Sequence, residues 1–178
     1  MLEAAGQVAI LTGPPGAGKT TTARTLVPLV GGPGVHLHSD DFWRYIRSGA
    51  ILPWLPAARD QNAVVIDVIA GAAGTYARGG YFVVLDGIIG PWFLMPFRRL
   101  GVPLHYIVLR PPLGEAIDRC RRRGGDELDD PDPIAALHRQ FSDLGELESH
   151  VIDTAGESAE GTLAAVEAAF RSGRFRLR

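Results

Sequence analysis

The chain has 178 residues, 46% of them apolar and 21% charged. That length suits one domain, residues 1–178, with a substantial core, and it argues against a large motor ATPase. A net charge of −2 supplies no global basic field for nucleic acid or an anionic membrane, so neither is expected as a partner. The single cysteine, Cys120, excludes an intramolecular disulfide and a cysteine-based zinc site. It fits a reducing cytoplasm, and within Asp118-Arg119-Cys120-Arg121 it reads as a helix-packing residue.

Met1-Leu2-Glu3-Ala4 lacks the charged-then-apolar pattern of a leader, which with the lone cysteine sets the expectation of a cytoplasmic protein. Val8–Thr12 is an apolar run bounded by glycines, as in a strand buried on both faces. Gly13-Pro14-Pro15-Gly16-Ala17-Gly18-Lys19-Thr20 follows, and a helix is expected from Lys19 to about Leu29, with Pro28 helping to stop it. This is G-x-x-x-x-G-K-[ST] between a strand and a helix. Its glycines let successive backbone N–H groups converge on an anion, and the helix adds the positive end of its dipole. Lys19 can then reach β- and γ-phosphates, and the Thr20 hydroxyl is placed to hold Mg2+. The alternative is a Gly/Pro-rich turn with no ligand. The stretch resembles the P-loop, or Walker A motif, of the nucleoside triphosphatase and kinase superfamily. That resemblance implies that residues Gly13, Pro14, Pro15, Gly16, Ala17, Gly18, Lys19, Thr20 and Thr21 hold the phosphates of ATP.

Gly31-Gly32-Pro33-Gly34 reads as a turn and Val35–Ser39 as a second strand, with Asp40-Asp41-Phe42-Trp43-Arg44 opening a short helix. Ala58, Val65, Ile66, Ile69, Ala72, Ala73 and Tyr76 recur at roughly helical spacing between Ala57 and Arg78, and Gly79-Gly80 ends that element. Tyr81–Asp86 is expected as the third strand, Trp92–Leu100 as a helix and Leu104–Leu109 as the fourth strand. A helix over Leu113–Arg123 should end at Gly124-Gly125, with a loop over Asp126–Pro133. A helix over Ile134–Leu147, a fifth strand over His150–Asp153 and a helix over Ser158–Arg171 complete the chain. The most apolar long window, Tyr81–Phe97, is broken by Asp86, Gly87, Gly90, Pro91 and Pro96, so it reads as a strand and turn, not a membrane span. Strands alternating with helices predict an α/β fold, a parallel sheet of five strands covered by helices on both faces. Ligands in such sheets bind at the carboxyl ends of the strands, which here carry the Gly-rich loop, Asp40 with Asp41, and Asp86.

A carboxylate at the end of the second strand can take the proton of an acceptor hydroxyl. Equally, Asp40 can cap the next helix with Asp41 in its first turn. Ser39-Asp40-Asp41-Phe42-Trp43 looks like the D-x-F-[YW] segment of uridine kinases and zeta-toxin-like kinases. The resemblance puts the family's base on Asp40 and its variable position on Asp41. Phe82-Val83-Val84-Leu85-Asp86-Gly87 resembles a Walker B ending, which implies that Asp86 holds a Mg2+-bound water, orients Lys19 and Thr20, or touches substrate; otherwise Asp86 starts a turn. Arg119 and Arg123 share a helix face, and Arg119-Cys-Arg-Arg-Arg123-Gly-Gly125 is similar to the lid of gluconate kinases, with Asp126 in place of a His. The implied lid spans about residues 119–133, and its arginines would neutralise the transferred phosphoryl group, or one of them would stack on adenine; the alternative is a solvated helix end with cations favoured by the helix dipole. Asp153-Thr154-Ala155-Gly156 looks like the segment that lines adenine in such kinases.

Trp43, Arg44, Tyr45, Trp54, Arg59 and Trp92 offer aromatic surface and cations for a polar acceptor, or core packing. His36 and His38 alternate on a strand and would face one side of the sheet, where packing is expected. Together the resemblances span most of the chain and imply the three-layer fold of P-loop small-molecule kinases, the gluconate, shikimate and chloramphenicol kinase group, with strand order 2-3-1-4-5. They imply an ATP-dependent, Mg2+-requiring phosphotransferase acting on the hydroxyl of a small molecule, as monomer or homodimer. The rivals are a nucleotide-dependent switch, since the Gly-rich loop is also common in AAA-type ATPases, and a kinase of macromolecules.

Overall fold

The computed structural model describes residues 3–123 and 130–177. Five strands form one parallel sheet: β1 (Val8–Thr12), β2 (Gly34–His38), β3 (Phe82–Asp86), β4 (Leu104–Arg110) and β5 (Val151–Asp153). Their order is β2-β3-β1-β4-β5, as expected. The helices are α1 (Lys19–Leu26), α2 (Ser39–Arg44), α3 (Arg59–Arg78), α4 (Met95–Arg98), α5 (Leu113–Arg123), α6 (Pro131–Gln140) and α7 (Ala159–Ser172).

Period-two alternation along the central strands builds a core on each face of the sheet. Val8 and Ile10 of β1 pack with Val83 and Leu85 of β3 beneath Val65, Ile66, Ile69 and Ala73 of α3. Ala9 and Leu11 turn the other way, onto Ala23 and Leu26 of α1 and Val166 and Phe170 of α7. Every residue of β1 and β3 is buried, Asp86 included. Each large aliphatic side chain so enclosed contributes about 1.5–3 kcal/mol, which makes these two strands the rigid floor of the molecule. The register sets Asp86 beside Leu11 of β1 and opposite His38 of β2, so three strand ends lie level at one edge.

The second strand is shifted by one residue, to Gly34–His38, α1 gives way to a 3-10 turn over Val27–Leu29, and larger differences follow at three boundaries. The loop expected through Pro133 gives way to α6 at Pro131, because Asp130 caps the helix by accepting from the Asp132 N–H (3.0 Å) and Pro131 supplies a preset φ. That helix stops at Gln140, well short of Leu147; Phe141 drops into the core, and the Asp143 carboxylate accepts from the N–H of Gly145, which holds a left-handed φ of 56°. The helix expected over Trp92–Leu100 is one 3-10 turn, Pro91–Phe93, followed by the four residues of α4. Gly124-Gly125 and Asp126, and with them the middle of the expected lid, lie outside the described residues. Among the described residues, no helix is long and apolar enough to cross a membrane.

Candidate active site

The site grows from the turn between β1 and α1. Gly13 leaves β1 with φ 139°, and a Cβ there would lie 2.1 Å from the Leu109 carbonyl oxygen, so the loop presses on the end of β4. Gly18 occupies the left-handed N-cap of α1, and Ala17 N–H donates to Pro14 O (3.3 Å). The half-buried Lys19 sends Nζ across the loop to Pro14 O (2.8 Å). Burial pulls its ammonium down to about 8, against the raising pull of the Asp40 and Asp86 carboxylates, while Arg123 adds like-charge repulsion. A cation whose charge burial disfavours gains from a polyanion, which offsets that cost. Thr21 faces solvent on the first turn of α1.

Asp86 is fully buried, and three side chains converge on it. Thr20 donates its hydroxyl to Oδ2 (2.5 Å), His36 Nε2 lies 2.6 Å from Oδ1, and His38 Nδ1 lies 3.1 and 3.2 Å from the two oxygens. Burial disfavours the charge on Asp86, but the bonds from His36, His38 and Thr20 outweigh it and hold the carboxyl well below the usual range. An ionised carboxylate only accepts, so both imidazoles donate to it. The bond to Asp86 raises His38 above its ordinary value, against the effect of burial. His36 and His38, expected to pack, are therefore the polar partners of Asp86. The signal was their alternation on one strand; what the sequence could not show was that β3 lies next to β2 in this register.

Asp40 sits in the first turn of α2, just past the end of β2, with its side chain 54% exposed. His38, not Asp40, holds the N-cap position. Ser39 Oγ approaches Asp40 Oδ1 (3.3 Å), and Ser39 in turn packs on Gly87, where a Cβ would fall 1.7 Å from Ser39 Oγ. Asp41 pairs with Arg44 (3.3 Å) at the surface. One carboxylate of this edge is thus sealed and one is open to an incoming molecule.

On the far side of the loop, α5 carries Arg119 and Arg123. Arg119 Nη2 pairs with Glu115 Oε2 (3.0 Å) and approaches the Glu157 carbonyl (3.4 Å). Glu115 also accepts from the Gly156 N–H (3.0 Å), so α5 is tied to the segment after β5. In that segment Asp153 accepts from Ala155 N–H (2.9 Å), and Thr154 is fully buried with a hydroxyl that has no partner among the described residues. Glu115 carried no sequence signal, because its role depends on the chain returning to it 41 residues later. Arg123, one turn beyond Arg119, lies close enough to Lys19 to depress its charge.

The remaining candidates scatter. Trp43 donates Nε1 to Asn62 (2.8 Å), Asn62 donates to Pro53 O (2.7 Å), and the indole packs on the core. Arg44 and Arg59 are exposed, Arg59 at the start of α3. Tyr45, Trp54 and Trp92 are also exposed. Among the described residues, no three His, Cys, Asp or Glu side chains are arranged to hold a metal by themselves. The donors that do meet, the Thr20 hydroxyl and the Asp86 carboxylate, are hard oxygens. They suit Mg2+, which keeps several waters and takes the rest of its shell from phosphates.

A phosphate loop on the central strand of a 2-3-1-4-5 parallel sheet, with a second-strand Asp beside it, defines a P-loop protein of kinase-like fold. The chain belongs to the family described as AAA domain, whose model matches residues 10–136. Among solved structures it is similar to the tunicamycin resistance protein of Deinococcus radiodurans, at 20% identity over 97% of this chain and 98% of that one, with a TM-score of 0.69. It is likewise similar to thymidylate kinase from Candida albicans (16% identity, 99% and 97% of the two chains, TM-score 0.70). A gluconokinase from Sinorhizobium meliloti 1021 follows (15%, 93% and 92%, 0.63). No curated protein matches the chain. At these identities the structural likeness speaks for the fold, and that fold supports nucleotide-dependent phosphoryl transfer.

Proposed function

We propose that the protein is a Mg2+-dependent kinase that moves the γ-phosphoryl group of ATP to a hydroxyl of a small molecule. The observation that carries this reading is the pair of carboxylates at one sheet edge. Asp86 is sealed against Thr20, while the exposed Asp40 lies near enough to Lys19 to raise its pKa. The loop N–H groups and Lys19 bind the phosphates, and Thr20 with Asp86 would hold Mg2+, Asp86 acting through a water. Bound there, the ion would neutralise charge on the phosphate oxygens. Asp40 takes the proton of the acceptor hydroxyl as its oxygen bonds to the γ-phosphorus and the bond to the departing ADP breaks. Arg123 and Arg119 close on the phosphoryl group and the adenine side respectively, and the Asp153-Thr154 segment lines the base. The acceptor lies along α2 near Trp43, Arg44 and Arg59.

That solved relatives in fold include a gluconokinase supports an alcohol acceptor. The test is a γ-phosphoryl transfer screen over hydroxyl-bearing metabolites and antibiotics, with Lys19→Ala as the blank. Transfer that drops about 10²–10⁴-fold in Asp40→Ala, with ATP affinity kept, supports the reading. Fast ATP hydrolysis with no compound gaining phosphate favours a nucleotide-dependent switch instead.

A further inference from the structure

The outer face of α3 is apolar along its middle and lies away from the phosphate loop. We propose that this face is the interface of a homodimer, in which α3 packs antiparallel on α3 of a second copy about a twofold axis that crosses the helix between Val68 and Gly71. The proposal goes beyond the kinase reading and does not rest on it.

α3 has two faces. Val65, Ile66, Ile69, Ala73 and Ala77 are buried against the sheet. On the other side stand Asp60, Val64, Val68, Gly71, Thr75 and Arg78, at spacings of three and four residues that make one continuous stripe on a helix. Val64 and Val68 are 65% and 56% exposed. A groove of about 500 Å³ runs between this stripe and α2, walled by Phe42, Tyr45, Ile46 and Val64, and another of about 400 Å³ lies around Gly71 and Tyr76. Single apolar residues on a surface are ordinary, whereas a contiguous apolar face marks an interaction site. The larger groove is not a pocket for the acceptor. At 3.6 residues per turn, Phe42 and Tyr45 stand about 200° and about 140° around α2 from Asp40, so the groove opens on the side of that helix away from Lys19.

The stripe is complementary to itself. Asp60 borders the larger groove at the N-terminal end, and Arg78, whose Nη2 approaches the Thr75 hydroxyl (3.4 Å), lies at the C-terminal end. Parallel pairing would set like charges against each other, whereas antiparallel pairing sets Asp60 against Arg78 at both ends and opposes the two helix dipoles. The sizes match in the same register. With Val68 level with Gly71 of the second copy, Val64 falls level with its Thr75, so each branched side chain meets a small one. Tyr76 of the second copy then falls beside the groove between α2 and α3. Asp67, the remaining charge of α3 beside the stripe, comes level with Ala72 of the second copy and not with its own counterpart. Gly71 supplies an independent observation. It sits in the middle of a 20-residue helix, where glycine is a poor choice, and a Cβ there would meet nothing within 4 Å. The packing of one chain therefore does not call for glycine at this position; the close approach of a second backbone does.

Sedimentation equilibrium of the full chain at about 100 µM should give twice the chain mass of 19.1 kDa. A wild type that stays at 19.1 kDa overturns the proposal and leaves the face to a different protein. Val68→Asp should raise the dimer Kd about 100-fold or more, because it puts two charges into the centre of the contact. Gly71→Gln separates association from folding: a better helix former in open space, it should raise the Tm of the dilute monomer and still raise Kd about tenfold or more. Asp60→Arg and Arg78→Asp should each raise Kd about tenfold, and the two together should return it to within about threefold of wild type. A dimer that both Val68→Asp and Gly71→Gln leave unchanged uses another surface and overturns this one. A double charge exchange that associates no better than either single change overturns the antiparallel pairing.

Discussion

Replacing Asp86 by Asn keeps the shape of the side chain and removes its charge. The carboxylate accepts from Thr20, His36 and His38, whereas an amide offers one acceptor oxygen and turns a donor toward the rest. Hydrogen bonds to a charged group contribute about 1.5–3 kcal/mol each, and Asn retains about one of the three. Two such losses total about 3–6 kcal/mol before relief. Relief is available, since the Thr20 hydroxyl rotates and the His36 and His38 side chains are 20% and 26% exposed and can turn to water. The net expectation is about 2–4 kcal/mol, which for a chain of this length lowers Tm by about 4–16 °C. Urea titration should show a lower midpoint at unchanged slope. The pH dependence supplies the sign. The folded carboxyl titrates below its unfolded value, so its contribution is present above about pH 4 and is lost as pH falls through the folded value. The gap between wild type and Asp86→Asn should accordingly narrow below about pH 4. A variant within about 0.5 kcal/mol of wild type at pH 7, or a gap that widens in acid, would refute the claim that these three bonds outweigh the burial of Asp86.

Gly13→Ala places a methyl 2.1 Å from Leu109 O at a backbone φ of 139°, so the loop must lift from β4; calorimetric titration should show ATP affinity reduced about tenfold or more and stability lowered by about 1–3 kcal/mol. Lys19, lowered to about 8 by burial, should regain its proton when phosphate arrives, so ATP binding near pH 8–9 takes up protons; heats measured in two buffers of different ionisation enthalpy should differ accordingly, and the difference should vanish in Lys19→Met. In the free protein the same group makes stability rise with pH between about 8 and 10.5, because the unfolded chain binds the proton that folded Lys19 has shed.

Much of this was legible in the chain itself. The Gly-rich loop from Gly13 to Thr20 announces a phosphate cradle because glycine, lysine and threonine act there through local geometry, within a few residues of one another. The strand and helix alternation fixed the sheet for the same reason: each apolar period is a property of its own segment. Boundaries were lost where short-range side-chain bonds decided, as at Asp130 before α6 and Asp143 after it. What only the tertiary structure decided is the partnership of residues far apart in sequence. His36 and His38 are 50 and 48 residues from Asp86, and Glu115 is 41 from Gly156. Nothing in either segment alone says that β2 runs beside β3 with His38 level with Asp86, because register is set by pairing between strands and by the packing of both faces. The sequence by itself determined that the loop is a P-loop. The sheet determined which carboxylate is sealed and which is open.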